Sequence, residues 1–362
     1  MQNAAVLSDR ADRLSGLLLG TAVGDALGLP REGLSRRRAA RIYGAGPLRH
    51  RFVLGRGMLS DDTEHACMTA QALLSAPRDD ARFARSLAWR LRGWLLAMPA
   101  AVGWGTLRAI VKLWLGFSPQ RSGVRSAGNG AAMRAPILGA CLAHTDRIEA
   151  VVRASTRLTH TDPRAEEGAL ILAVAAAHAM RTLPRPLDVG AILAEIGALT
   201  LTDEMRRRLD CVGECLARRD SHEDFARALG LEQGVSGFIL DTVPAALFCW
   251  LSSPYDFRRS VEGVIVLGGD ADSTGAIVGA LSGLTVGASR IPEEWLAGIV
   301  EWPRSVPWIE SLGERLARQF YGGEDEPRRG PLRLFWPALP ARNLVFLTVA
   351  LAHGLRRLLP PY

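Results

Sequence analysis

Apolar residues recur three and four positions apart over most of the chain, which is the spacing of one face of an α-helix. The clearest stretches are Leu87, Leu91, Trp94 and Leu95, then Ile148, Val151 and Val152, then Leu170, Leu172, Val174 and Ala175, and finally Val261, Val264 and Ile265. Alternating runs of β-branched and aromatic residues, which are typical of strands, are scarce. The pattern predicts an all-α fold.

Glycine and proline interrupt the helical pattern repeatedly, and each interruption marks a turn or a loop. The interruptions lie at residues 30–33, 44–47, 55–57, 99–105, 116–130, 184–186, 234–237 and 254. This spacing predicts about a dozen helices in a compact multi-helix fold without internal repeats.

The composition changes after residue 321. Residues 322–327 have the composition of a linker, residues 331–340 are rich in proline, and residues 343–359 are apolar and basic. We therefore expect a main domain over residues 1–321, followed by a linker and a basic, apolar extension over residues 322–362 that ends in an appended helix.

The composition is that of a globular protein, with 48% hydrophobic and 22% charged residues among 362. The net charge is +7, but residues 327–362 contain six Arg and no acidic residue, so the rest of the chain carries only +1. The main domain therefore lacks the excess of positive charge expected of a nucleic-acid-binding protein, and no nucleic acid is expected as a stable partner.

The cysteine and signal patterns favour a soluble cytoplasmic protein. The five Cys form neither a disulfide framework nor a C-x-x-C pair, and Cys211 and Cys215 have no neighbouring ligands that would complete a zinc site. Asp9 and Asp12 precede the first apolar stretch, where a secretory signal would carry positive charge. The longest uncharged run, residues 273–289, is shorter than the ~20 apolar residues of a spanning helix, so no transmembrane segment is expected.

The sequence Ser60-Asp61-Asp62-Thr63-Glu64 stands directly before a helical run. By itself this is a typical helix start, in which the serine caps free amides and the carboxylates complement the helix dipole. The motifs of nucleophile-elbow hydrolases, P-loop kinases, dinucleotide-binding dehydrogenases and zinc proteases are absent. The acidic segments are therefore the main candidates for chemistry.

A second acidic cluster, Gly268-Gly269-Asp270-Ala271-Asp272-Ser273, also begins a helix. A helix start explains one Asp but not two, preceded by two glycines and followed by hydroxyl groups. The two clusters share oxygen ligands, which favour Mg²⁺ or Mn²⁺ over zinc. Four carboxylates brought together would repel each other unless two divalent cations were bound between them. Asp62 and Asp270 are 208 residues apart in the sequence, so only the fold can bring the clusters together.

Five motifs of this chain occur in the order found in the ADP-ribosylglycohydrolase family, which the chain resembles over about residues 14–295. They are Gly24-Asp25-x-x-Gly28-x-x-x-Glu32, Ser60-Asp61-Asp62-Thr63-Glu64, Gly128-Asn129-Gly130-Ala131-Ala132-Met133-Arg134, Thr159-His160 and Gly268-Gly269-Asp270-x-Asp272-Ser273. The resemblance implies an all-α fold, two Mg²⁺ or Mn²⁺ ions, and hydrolytic removal of ADP-ribose from modified side chains or related N- and O-glycosides.

The resemblance also assigns roles to individual residues. It implies as metal ligands Ser60, Asp61, Asp62, Asp270, Asp272 and Ser273. Glu32 would lie beside the metals, as a ligand or as the carboxylate that handles the nucleophilic water. Glu32, Asp61 and Asp62 are thus the expected catalytic residues.

The expected substrate-binding residues are Gly128, Asn129, Gly130 and His160. The glycine-rich stretch can be a plain turn or can present backbone amides to a diphosphate, and we favour the second interpretation. His160 can be a histidine bonded to the backbone, or a residue of the ligand pocket as the resemblance implies. Ser126 and Ala127 stand where relatives can carry an aromatic residue, so no stacking contact is expected there.

Two further residues have alternative interpretations. Asp25 interrupts an apolar run, so it is expected to be a buried polar group that supports its neighbours. Trp104 lies between two glycines in a loop that can cover a ligand, although a tryptophan of this kind is more often a packing anchor.

The expected reaction is hydrolysis at C1″ of the ribose distal to adenine, with Glu32 or a metal-bound aspartate as the base. The expected substrate is ADP-ribosylated protein or another ADP-ribose derivative, arginine is the preferred linkage, and no redox cofactor is needed. Two alternatives stay open: a non-catalytic protein that binds ADP-ribose or a partner on the same fold, and a metal-dependent hydrolase of another phosphorylated or glycosidic metabolite. The choice between Mg²⁺ and Mn²⁺ and the oligomeric state are left open.

The extension allows two interpretations, a helix docked on the main domain or a basic segment on an anionic membrane. The side chains expected to dock are Leu344, Phe346, Leu347 and Leu351. We favour docking because only Arg356 and Arg357 lie near the end of the helix, and stable membrane attachment usually needs more basic charge or a lipid. Since the motifs end well before it, a chain that stops at Tyr321 is expected to keep its activity if it folds.

Overall fold

A computed structural model describes residues 2–44, 47–100, 102–323 and 329–360. Within these residues the chain forms seventeen α-helices, and the prediction of an all-α fold is confirmed. They are α1 (Gln2–Gly28), α2 (Arg36–Tyr43), α3 (Asp61–Ser75), α4 (Asp80–Leu96), α5 (Trp104–Trp114), α6 (Ala135–Leu142), α7 (Ile148–Arg157), α8 (Pro163–Thr182), α9 (Val189–Gly197), α10 (Asp203–Arg218), α11 (His222–Ala228), α12 (Ile239–Leu251), α13 (Phe257–Ile265), α14 (Ala271–Val286), α15 (Glu293–Ala297), α16 (Val306–Tyr321) and α17 (Ala338–Arg356). The expected number, about a dozen, was too low because several helices are too short to show a periodic pattern.

Short irregular elements join some of these helices. Three 3₁₀ segments cover Leu29–Arg31, Asn129–Arg134 and Ala288–Arg290. Two strands of two residues each, β1 (Leu34–Ser35) and β2 (Gly268–Gly269), pair antiparallel. This pairing joins the segment after α1 to the segment before α14.

Helices α1 and α14 pack against each other along a seam of glycines. The seam consists of Gly16, Gly20, Gly24 and Gly28 on α1 and of Gly275, Gly279 and Gly283 on α14. A Cβ atom at Gly24 would overlap the carbonyl oxygen of Gly275, so any larger residue would force the backbones apart. The four-residue spacing of the seam brings the C-terminal end of α1 close to the first turn of α14.

Helix α3 passes through the interior of the protein and is buried over almost its whole length. Its polar residues therefore need partners inside the fold, because a buried polar group without a hydrogen bond is costly. Cys67 in this helix, together with Cys141, Cys215 and Cys249, is buried, and Cys211 is half-buried. The expectation that Cys211 and Cys215 are core or half-exposed helix residues is thus correct.

Residues 329–360, which we call the strap, lie across the main domain. The buried Gln71 exchanges two hydrogen bonds with the backbone of Leu332, at 2.8 and 2.9 Å. Asn343 donates to the carbonyl of Ala97 at 2.7 Å, and Phe346 packs on Phe52 with ring centroids 4.9 Å apart. The extension is therefore docked along its length, as the favoured interpretation expects.

The docking face of the strap differs from the predicted one. Phe346 is buried, but Leu344, Leu347 and Leu351 are exposed, which makes the prediction wrong for these three leucines. The helix begins at Ala338, five residues earlier than expected, so that Leu339, Asn343 and Phe346 share the inner face. Most of the predicted linker, residues 324–327, lies outside the described residues.

Among the described residues, α17 is the one helix whose length and composition would allow it to cross a bilayer, with a mean hydropathy of 1.3 and 22% of the window buried. This differs from the expectation that no such segment exists. Its polar residues Arg342 and Asn343 are nevertheless engaged with the main domain.

Candidate active site

The two acidic clusters meet at Asp62. The Ser60 hydroxyl caps α3 by accepting from the Asp62 amide at 3.3 Å, and it donates to Asp62 Oδ2 at 3.2 Å. The Ser273 hydroxyl, from the other cluster, donates to the same oxygen at 3.2 Å. The fold thus brings together residues that the sequence separates by more than 200 positions, while their roles as metal ligands remain predictions.

Two carboxylate oxygens of this cluster are buried without a partner among the described residues, Oδ1 of Asp62 and Oδ1 of Asp272. Burial raises the pKa of both aspartates well above its usual value, and the charge of Asp61 adds to the effect on Asp62, as that of Glu32 does on Asp272. Burial also raises the pKa of Asp61, with the charge of Asp25 as the second cause. Bound cations would reverse this balance by stabilising the charged carboxylates.

The chemistry of these residues fits oxygen-seeking divalent cations, because the cluster offers carboxylates and hydroxyls and leaves buried oxygens unpaired. Within the described ranges, no three His, Cys, Asp or Glu side chains already stand close enough together to enclose an ion. An ion at this site would therefore have to draw the carboxylates inward.

Glu32 lies at the edge of the same cluster. It follows the 3₁₀ segment Leu29–Arg31 and precedes β1, and the Gly33 amide donates to the Gly269 carbonyl at 2.7 Å. Burial raises the pKa of Glu32, the charge of Asp270 raises it further, and the Arg357 guanidinium opposes the shift. The charges of Asp270 and Arg357 thus act in opposite directions on the pKa of Glu32.

The glycine pair before Asp270 has a steric reason. Gly268 and Gly269 have φ values of +79° and +82°, which favour glycine, and a Cβ atom at Gly269 would overlap the backbone of Val235. The turn lets the Asp270 amide donate to the Val235 carbonyl at 2.7 Å. The close approach of the Gly269 and Val235 backbones sets the position of Asp270. In the sequence, the glycine pair was the indication of this approach.

The loop at Gly128, Asn129 and Gly130 is tied to the second cluster. The Asn129 side chain donates to Asp270 Oδ2 at 2.6 Å and to the Thr242 hydroxyl at 3.1 Å. The Asn129 amide is itself engaged, since it donates to the Gly237 carbonyl at 3.0 Å, while a contact between the loop and a diphosphate stays a prediction. The structure therefore makes Asn129 a link between the loop and Asp270.

His160 packs directly on this loop. A Cβ atom at Gly130 would lie 2.9 Å from its Cε1, and its Nδ1 is 2.8 Å from the Thr159 hydroxyl. Burial, together with the charge of Arg134, lowers the pKa of His160 to about 4. The imidazole is therefore neutral at physiological pH.

Arg134 is a functional candidate that was not assigned a role from the sequence. It is fully buried and donates to the Gly130 carbonyl at 2.9 Å and to the Thr159 hydroxyl at 2.8 Å, so it fixes the loop against the His160 segment. Its signal was its place at the end of the glycine-rich motif.

Asp25 supports the first cluster, as its burial in an apolar run implied. Its carboxylate accepts from the Ser60 amide at 2.9 Å and from the Thr63 amide at 3.2 Å. Burial raises its pKa to about 6, and these hydrogen bonds limit the shift.

Trp104 is 71% exposed at the start of α5, so the packing-anchor interpretation is wrong. A Cβ atom on the next residue, Gly105, would be 3.5 Å from His160 Nε2, which puts the start of α5 beside the candidate substrate loop. A role in covering a ligand stays a prediction.

A second set of buried charges lies beneath the acidic cluster. Glu64 accepts from Arg304 and from the Trp94 indole, while Glu301 pairs with Arg342 at 2.6 Å. These pairs could not be predicted from the sequence, because Glu64 and Arg304 are 240 positions apart.

Comparison with known proteins identifies relatives of the chain. The family model for ADP-ribosylglycohydrolase matches residues 7–326. The chain is 30% identical over 296 residues to the ADP-ribosyl-[dinitrogen reductase] glycohydrolase of Rhodospirillum rubrum, covering 79% of this chain and 90% of that protein. It is 26% identical to the ADP-ribosylarginine hydrolase Tri1 of Serratia proteamaculans, covering 88% and 82% of the two chains. A solved structure titled ADP-ribosylglycohydrolase-related protein complex superposes with a TM-score of 0.66 at 28% identity, covering 86% of this chain and 99% of that chain.

Proposed function

Because this chain belongs to the ADP-ribosylglycohydrolase family and is a hydrolase by that membership, we propose that it removes ADP-ribose from modified protein in a metal-dependent reaction. The observation that carries the proposal is the meeting of the two clusters at Asp62, with buried unpaired oxygens on Asp62 and Asp272. Unpaired buried carboxylates are costly, and divalent cations are the partners that oxygen ligands of this kind prefer.

The proposed cofactors are two Mg²⁺ or Mn²⁺ ions held by Ser60, Asp61, Asp62, Asp270, Asp272 and Ser273. When bound, such ions lower the pKa of a water molecule and hold the hydroxyl groups of a sugar. The hydroxyls of Ser60 and Ser273 orient the Asp62 carboxylate, and Asn129 does the same for Asp270.

We propose Glu32 as the general base for hydrolysis at C1″ of the distal ribose. A carboxylate with a raised pKa is better matched to proton transfer near neutral pH than one in open solvent. Burial and Asp270 supply that shift, and Arg357 keeps the charged, proton-accepting form accessible.

The substrate is proposed to lie against Gly130 and the neutral His160. The neutral imidazole has one ring nitrogen bonded to Thr159, and its packing on Gly130 fixes the other edge of the ring beside the loop. Trp104, exposed at the start of α5, is proposed to cover the bound nucleotide.

We propose ADP-ribosylated arginine as the linkage, which is supported by similarity to the arginine hydrolase of Serratia proteamaculans over 88% of this chain. The thiol state of all five cysteines supports the further proposal that the enzyme works in the cytoplasm.

The test is a panel of proteins ADP-ribosylated on arginine or serine, and of ADP-ribosylated nucleic acid, incubated with Mg²⁺ or Mn²⁺ and analysed by mass spectrometry. We expect release of free ADP-ribose from the arginine substrate, abolished by EDTA and by Glu32→Gln. Release from serine alone would overturn the linkage, whereas binding without release from any substrate would overturn the proposed reaction and favour a binding protein.

A further inference from the structure

The strap, residues 329–360, reaches both loops that carry the candidate catalytic residues. It lies beyond residue 326, where the match to the family ends, and on sequence grounds it was expected to have no part in the activity. Its helix α17 presents Arg342 near its beginning and Arg357 just after its end. These two arginines contact different loops of the candidate active site.

Arg342 is buried in a two-point ion pair. Its side chain is 7% exposed and that of Glu301 is 1% exposed. The guanidinium donates to Glu301 Oε1 at 2.8 Å and to Oε2 at 2.6 Å. A planar fork with two parallel hydrogen bonds fixes both partners in orientation as well as in distance, which a lysine cannot do.

This pair holds both sides of the residue before Ser60. The amide of Leu59 donates to Glu301 Oε2 at 3.1 Å, and the carbonyl of Leu59 accepts from Arg342. The next amide, of Ser60, donates to Asp25. The turn that carries Ser60, Asp61 and Asp62 is thus held from one side by α1 and from the other by the strap.

At its other end the strap holds the loop of Glu32. The Arg357 side chain donates to the Pro30 carbonyl at 3.1 Å, two residues before Glu32, and the Arg357 carbonyl accepts from Arg38. Between the two ends, His353 is 2.7 Å from the Phe52 carbonyl and 3.2 Å from the Tyr43 hydroxyl. The two loops are therefore connected through a single helix.

We propose that the strap is part of the active-site machinery, with Arg342 as the positioning residue of the Ser60–Asp62 turn and Arg357 as that of the Glu32 loop. This inference rests on the proposed metal centre. It reverses the expectation that a chain ending at Tyr321 keeps its activity, because such a chain would lack the cation that pairs with Glu301 and the donor to the Leu59 carbonyl.

The test measures Mn²⁺ binding by calorimetry in the full-length chain, with Arg342→Gln and Arg342→Lys as variants. Arg356→Gln is the matched control, since Arg356 is exposed on the last turn of the same helix and bonds only the Pro360 carbonyl in the described structure. We expect Arg342→Gln to raise the Kd for Mn²⁺ about 10–100-fold, the range seen when a group that orients metal ligands is lost. Arg342→Lys should fall between, and Arg356→Gln should match wild type.

Wild-type Kd values in a folded Arg342→Gln protein with a lowered Tm would overturn the inference, because they would show a purely structural role. If Arg342→Gln does not fold, Arg342→Lys decides in the same way. Arg357→Gln should lower kcat for the arginine substrate several-fold with an unchanged Kd for Mn²⁺, and an unchanged kcat would overturn its assignment. If the wild-type chain binds no Mn²⁺, the proposed metal centre is wrong. The role of the strap is then tested by kcat: we expect Arg342→Lys to lower it and Arg356→Gln to leave it unchanged, and an unchanged kcat in Arg342→Lys would overturn the inference.

Discussion

Asp62 and Glu64 stand two residues apart on the buried start of α3, yet their surroundings are opposite. Glu64 faces the Arg304 guanidinium, with Arg342 3.8 Å away and the Trp94 indole as a further donor. Within the described part of the chain, the Asp62 carboxylate accepts only from the hydroxyl groups of Ser60 and Ser273, and one of its oxygens has no partner. Both carboxylates are buried, but only Glu64 is balanced by positive charge.

The difference separates a structural carboxylate from one kept for a ligand. A buried charge is tolerated when it is paired and hydrogen-bonded, as Glu64 is. Among the described residues, no cation pairs with Asp62 or Asp272, and burial raises the pKa of both aspartates well above its usual value. In the described structure, Glu64 is thus paired with arginine whereas Asp62 and Asp272 are not, which is the arrangement expected where cations enter later.

The largest effect is expected from Asp272→Asn, which removes a candidate ligand and relieves repulsion. Turnover of the arginine substrate should fall by about 10³-fold or more, beyond the loss caused by removing a single preorganised electrostatic group. In EDTA at pH 8 the variant should be at least as stable as wild type, measured by thermal unfolding. A large loss of stability in EDTA would show that Asp272 is structural, and would contradict the proposed difference between Asp272 and the ion-paired Glu64.

The ion-paired carboxylate is tested by Glu64→Gln, which leaves the buried Arg304 without its counter-charge. Breaking a buried ion pair by removing one partner costs about 3–5 kcal/mol, so the free energy of unfolding should fall by that amount with or without metal. The free energy of unfolding is measured by unfolding in urea. Asp62→Asn is the matched control two residues away, and it should not destabilise the metal-free protein.

The pH dependence of stability in EDTA is a further test of the unbalanced charge at Asp62 and Asp272. Because burial raises the pKa of Asp62 and Asp272, and that of Asp25 to about 6, the folded state binds more protons than the unfolded state above pH 3.8. The stability from these groups is present at low pH and is lost as pH rises through the folded pKa values. We expect the Tm of wild type relative to Asp272→Asn to fall by a few degrees between pH 5 and pH 8.

Added Mn²⁺ should reverse that trend, because protons compete with metal ions for the carboxylates. A difference between the two proteins that does not change with pH in EDTA would contradict the charge imbalance.

The smallest effect is expected for an ion pair outside the interior. Arg153 bonds Glu149 and Glu166 on the surface of α7 and α8, at 2.5 and 2.7 Å, with its side chain 45% exposed. Arg153→Ala should lower the free energy of unfolding by about 1 kcal/mol or less, since solvent screens exposed pairs. A cost equal to that of Glu64→Gln would show that burial is not what distinguishes the Glu64 pair.

The sequence predicted the features that depend on local spacing. The helical periodicity gave the all-α class, and the oxygen-rich helix starts at Ser60 and Asp270 marked the cluster that the fold assembles. Gly268 and Gly269 marked the turn before Asp270.

Features that depend on partners distant in the sequence could not be predicted from it. Nothing near Glu64 distinguishes it from Asp62 in the sequence, because the arginines that balance it come from residues 304 and 342. The inner face of α17 was misjudged for a similar reason, since the position of Phe52 and the Ala97 carbonyl decides that Phe346 and Asn343 face inward while Leu344 and Leu351 do not.

The most direct measurement is anomalous diffraction at the manganese edge from crystals of the full-length chain soaked in Mn²⁺. We expect two peaks about 3.5–4 Å apart, in contact with Asp62 and Asp272. Crystals of Asp272→Asn should lose at least one of the peaks. Bound manganese with no peak at either aspartate would contradict the claim that these unbalanced carboxylates form the metal centre.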